Sequence, residues 1–111
     1  MKKTFVNFQV VAAYAKAMQD ILGPNMNSDE ARDIHETIEN LRENIQLNEG
    51  GDPDERNKKA FDILSKAEVY ALDLRFHLKA TEDEAFGDFS DYIEDEVNNL
   101  SILLGKLADL D

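Results

Sequence analysis

Apolar residues recur along this chain at spacings of three and four, the period of helices that pack on one face. In the first stretch Phe8, Val11, Ala12, Ala15, Met18 and Leu22 keep that spacing and Gly23-Pro24 supplies a stop, which predicts a helix over 5–22. A second apolar stripe, Val10, Tyr14, Ala17 and Ile21, runs along another side, and Lys16 and Asp20 are the only charges between Phe5 and Leu22. A helix so apolar calls for burial on most of its faces. The competing reading is a strand over Thr4 to Val11, where Phe and Val are good strand formers. The alanine-rich continuation favours helix.

Asn27 followed three residues later by Glu30 has the form of a capping box, and Ala31, Ile34, Ile38, Leu41 and Ile45 then form one narrow seam. Charges fill the other faces, so this second helix, over 28–47, belongs on the outside of the bundle. Gly50-Gly51 ends it. Asp52 before Pro53, with Glu55 next, starts a third helix over 53–80, whose seam is Ala60, Leu64, Ala67, Ala71, Leu74 and Leu78, flanked by Phe61, Leu72 and Phe76. Thr81 with Glu84 reads as a further capping box, opening a fourth helix over 82–110 that carries Phe86, Phe89, Ile93, Val97, Leu100, Leu104 and Leu107.

The joints are short and there is no repeat or long linker. They predict one all-α domain over 1–111, an up-down-up-down four-helix bundle. Since the first helix is the shortest, the joint between the third and fourth, about 75–92, is expected to project beyond the Gly23-Pro24 loop.

Composition narrows the function classes. The 111 residues include no cysteine, which removes disulfide scaffolds, thiolate zinc sites, iron–sulfur clusters and cysteine nucleophiles. Met1-Lys2-Lys3 before an apolar stretch resembles a secretory leader, but Asn7, Gln9 and Lys16 interrupt it, and no run approaches the roughly 20 residues of a membrane span. A cytoplasmic chain is the expectation. The net charge of −12 argues against direct nucleic-acid or lipid binding through a basic face.

That charge is unevenly spread. Residues 1–50 hold five basic and eight acidic side chains, 51–79 six and six, and 80–111 one and ten. No Lys or Arg stands between Lys79 and Lys106, where Glu82, Asp83, Glu84, Asp88, Asp91, Glu94, Asp95 and Glu96 crowd together with Phe89 and Tyr92. In its plainest form this is a solvated face beside a core stripe. Its functional reading is a set of carboxylates standing in for phosphates, which engages the basic groove of a nucleic-acid-binding protein. These ten residues are the candidate partner-binding site, and the chain is expected to act as an inhibitor or modulator, of a kind that would suit a phage or mobile-element anti-defence protein.

Catalytic and cofactor chemistry has little support. A dinuclear carboxylate bundle needs Glu-x-x-His pairs, yet Arg32 precedes His35 and Leu74 precedes His77 at that spacing. His35 with Glu39, and Asp73 with His77, stand one turn apart and would hold a divalent ion only loosely. The expectation is rim or solvent-facing histidines, with no metal and no cofactor. Asp29-Glu30-x-x-Asp33 and Asp88-x-x-Asp91 faintly resemble the paired acids of all-α nucleotide pyrophosphohydrolases, but the third helix intervenes without matching inward acids. That leaves a magnesium-dependent phosphohydrolase as a second alternative. No serine has a neighbouring histidine or oxyanion loop, and Gly50-Gly51 lacks a phosphate-loop Lys-Ser or Lys-Thr. The chain is therefore read as a non-enzyme. A homodimeric assembly module, burying surplus apolar surface of the first helix, is the first alternative.

Overall fold

The computed structural model describes residues 7–23, 25–47, 55–83 and 89–110. It has four helices, α1 (Phe8–Ile21), α2 (Ser28–Leu47), α3 (Glu55–Glu82) and α4 (Ser90–Ala108), and no strand among the described residues. The all-α four-helix fold is the one that the periodicity predicts.

The starts of α1 and α2 have a local cause. Asn7 caps α1, its side-chain oxygen accepting from the backbone N–H of Gln9 at 3.0 Å and of Val10 at 3.4 Å, so the described helix opens at Phe8. The capping box of α2 is reciprocal: Asn27 Oδ1 accepts from Glu30 N–H at 2.8 Å, and Glu30 Oε1 accepts from Asn27 N–H at 3.0 Å. The Gly50-Gly51 stop and the Asp52-Pro53 start lie outside the described residues.

α1 packs on α4, α4 on α3 and α3 on α2, while α1 meets α2 only slightly and α2 does not pack on α4. Two contacts set the α2/α3 pairing. Ser28 meets Glu82 and Arg42 meets Glu68, so the position in α2 rises by fourteen as that in α3 falls by fourteen. The two helices are antiparallel and in step. Along the shared seam Ile34, Ile38, Ile45, Leu64 and Leu74 are fully buried, joined by Leu100, Leu104 and Leu107 of α4. Each such side chain contributes about 1.5–3 kcal/mol relative to an exposed one. Ala60, Ala67 and Ala71 of α3 and Ala31 of α2 are fully buried small residues that let the backbones approach.

Three sequence expectations need correction. The fourth helix starts at Ser90, not 82, because α3 continues through Thr81 and Glu82. The Thr81 hydroxyl does not cap: it donates to the His77 carbonyl one turn back, at 2.9 Å. Its proposed partner Glu84, with Phe86 and Asp88, lies outside the described residues. The end of α3 also does not project as expected, since Ser28 at the start of α2 bonds Glu82 at the end of α3, while residues 84–88 of the joint lie outside the described residues. The register places the surplus length at the opposite end, where α3 residues 55–62 run about two turns beyond the end of α2. Helix lengths alone do not fix stagger; the terminal contact does.

The third correction concerns α1. Phe8, Val11, Ala12, Ala15 and Met18 are buried, but the second stripe of Val10, Tyr14, Ala17 and Ile21 is exposed. α1 is a flanking helix packed on one side, chiefly by α4. Gln19 pins it there, its side-chain amide donating to the Ser101 carbonyl at 2.9 Å.

Candidate functional site

The ten acidic and aromatic residues singled out in the sequence fall into four groups. Glu82 ends α3 against the N-terminus of α2: the Ser28 hydroxyl and backbone N–H donate to its two oxygens at 2.5 and 2.9 Å. Those bonds, helped by Lys79, hold its carboxyl below the usual carboxylate range. Glu82 is thus an inter-helix cap with both oxygens committed. Asp83 is exposed and pairs with Lys79 at 3.4 Å. Glu84 and Asp88 lie outside the described residues.

Glu96 is a correction of another kind. It is only 8% exposed, pointing back to α3 with Oε1 2.7 Å from His77 Nδ1, so it does not belong to a partner-facing surface. Its Oε2 is buried without a hydrogen bond. The close His77 contact is off the direction of an ideal ring N–H···O bond, so the contact is short but poorly aligned. Burial pushes the Glu96 carboxyl up, Asp73 and Asp95 add to that, and His77 opposes it.

His77 organises the aromatics. Phe89 and Tyr92 stack on its ring at centroid distances of 5.0 and 5.5 Å, and Phe76 meets it edge-on at 5.7 Å. Phe89 is half-buried against the core, whereas Tyr92 and Phe76 are each 61% exposed. Phe76 also ends an exposed stripe on α3, Val69-Leu72-Phe76, at helical spacing.

Asp91, Glu94 and Asp95 remain. All three are exposed on the first two turns of α4, and among the described residues none is in an ion pair. Glu94 also borders a cleft of about 570 Å³ between the α2 start, the α3 end and α4, floored by Met26, Leu78, Ile93 and Val97. The site therefore contracts to three free carboxylates and exposed Tyr92, with exposed Phe76 joined to Tyr92 through the His77 ring. Sequence reasoning missed Phe76 and His77 as members, because both reach the site across the α3/α4 contact rather than along the chain.

His77, partly exposed, is a rim histidine as the sequence allowed, whereas His35 is buried. His35 is 6% exposed, and its Nε2 lies 3.2 Å from Glu39 Oε1. Glu68 of α3, which no spacing along the chain connects to them, brings a third ligand-type atom within 4.8 Å of both. The paired acids that resemble a phosphohydrolase set do not converge among the described residues. Glu30 serves the α2 cap, Asp29 lies 3.7 Å from Arg32, and α2 and α4 do not pack together.

No protein-family model matches the chain, and neither the curated proteins nor the solved structures give a match. Among the described residues no helix is long and apolar enough to cross a membrane.

Proposed function

We propose that the chain binds a basic protein surface through the start of α4, as an inhibitor or modulator that presents carboxylates in place of nucleic-acid phosphates. The observation that carries this reading is the pairing of unneutralised Asp91, Glu94 and Asp95 with the exposed rings of Tyr92 and Phe76. Apolar anchors ringed by charge are the usual make-up of a protein interface, and complementary potentials speed and select encounter. Asp91 and Asp95 stand one turn apart, where like charges cost a few tenths of a kcal/mol in an isolated helix. A basic partner removes that repulsion.

The test is capture from lysate by the wild-type chain and by a D91N/E94Q/D95N variant at low and high salt. The reading expects a partner held by the wild type, released by salt and lost on neutralisation, since exposed pairs are screened. Equal retention by both chains overturns it.

A second reading has its own observation. The Val10-Tyr14-Ala17-Ile21 stripe leaves α1 an exposed apolar face on which no described helix packs, as a symmetric dimer through α1 requires. Light scattering that gives a concentration-dependent dimer, lost on Tyr14→Glu, supports that reading; a monomer at all concentrations removes it.

A further inference from the structure

On the face opposite the α3/α4 contact, α2 and α3 bring together a histidine and two carboxylates. We propose that His35, Glu39 and Glu68 form a binding site for a divalent ion of the zinc class. This stands independently of the partner-binding reading.

The ligand set has the right chemistry: one imidazole nitrogen and two carboxylate oxygens suit zinc, with a water completing four-coordination. Its geometry is close. Zinc bonds of about 2.0–2.2 Å put tetrahedral ligand atoms roughly 3.4 Å apart, and the His35 Nε2 to Glu39 Oε1 separation is already 3.2 Å. The third atom, on Glu68, lies within 4.8 Å of both, so its approach takes a side-chain rotation rather than a backbone shift. His35 and Glu39 are held one turn apart on α2, and the antiparallel register that joins Arg42 to Glu68 brings Glu68 to them.

The surroundings fit an ion that is half enclosed. His35 forms the buried wall, while the carboxylates face an open groove of about 350 Å³ lined by Glu39, Arg42, Glu43 and Glu68, with room for the water ligand. Three carboxylates against one guanidinium leave the groove negative. Arg42 takes one oxygen of Glu68 at 2.8 Å and is itself fixed by the Ser65 hydroxyl at 3.1 Å and by the Phe61 ring at 5.1 Å. It thereby orients the carboxylate, the role that outer hydrogen-bond partners play around metal ligands. Ligation through Nε2 places the ring proton on His35 Nδ1, a buried atom without a hydrogen bond, so the ring is oriented by its packing and by Glu39 rather than by an outer acceptor.

The experiment titrates the untagged full chain with zinc chloride by calorimetry and follows the thermal melt, with magnesium as the hard-cation control. Cobalt(II) serves as a visible-absorption probe of coordination. Expected are one zinc per chain, a higher melting temperature with zinc, none with magnesium, and intense cobalt bands of low coordination number. Glu39→Gln and Glu68→Gln, both outside the core, each lower zinc affinity by about tenfold or more. Glu43→Gln, on the same groove but not a ligand, changes it by less than about threefold. Absence of one-site binding, wild-type affinity in both ligand variants, or an equal loss in Glu43→Gln would each overturn the site.

Discussion

Individual side chains at the α2/α3/α4 end show how far a residue's role depends on what it meets. Asn27 and Glu30 do what their spacing predicts, closing a reciprocal cap, and Asn27→Ala should cost about 1 kcal/mol in a urea titration. No measurable change would mean that α2 is held without its cap. Glu82 and Glu96 belong to the same acidic run, yet their surroundings act in opposite directions. The carboxyl of Glu82 is lowered by Ser28, so its contribution is complete above the ordinary value of 4.5 and is lost as pH falls through the folded value. That of Glu96 is raised by burial, so its contribution is complete below 4.5 and is lost as pH rises through the folded value. Thermal melts of wild type, Glu96→Gln and Glu82→Gln over a pH series separate the two. Between pH about 7 and 4.5 the wild type should gain on Glu96→Gln, and below that it should lose ground to Glu82→Gln. Parallel curves for all three chains would contradict both assignments.

The helices themselves were largely legible. The α2 and α3 seams read from spacing are the buried seams of the structure, because a helix with one apolar stripe has one way to hide it. Where local signals met tertiary contacts, the contacts prevailed. Thr81 has the chemistry of a cap, but running α3 on to Glu82 gains two bonds to Ser28, and α4 begins later, at Ser90. The excess apolar surface of α1 implied burial that the packing does not provide, since spacing shows that a face is apolar and not whether a neighbour covers it. The α1/α4 contact can be tested at Gly105, where an added Cβ would come 3.2 Å from the Gln19 amide nitrogen, which bonds Ser101. Gly105→Ala alone should be nearly neutral, the helix-propensity gain being offset by displacement of that amide. In a Gln19→Ala background the same change should stabilise by about 0.8–1 kcal/mol. Equal effects in both backgrounds would show that Gln19 does not fill that space.

For the molecule as a whole, a net charge of −12 is spread over an elongated body, 48 × 25 × 17 Å, and Asp91, Glu94 and Asp95 stand together without an ion pair near the start of α4. The acid count groups residues whose surroundings in the structure differ. Glu82 and Glu96 have partners on α2 and α3, contacts between positions that sequence spacing does not relate, and the same holds for Glu68 beside His35 and for His77 beside Tyr92, whereas Asp83 pairs with Lys79 one turn back on its own helix. What remains is a surface on which charge and exposed rings coincide, and the central claim is that a basic, nucleic-acid-binding protein occupies it. The most direct measurement is competition: the partner captured by the wild-type chain is challenged with duplex DNA at constant ionic strength. The account predicts that DNA releases the partner in proportion to its concentration and that D91N/E94Q/D95N captures none to release. A partner that stays bound under saturating DNA, or that D91N/E94Q/D95N holds as tightly as the wild type, would contradict it.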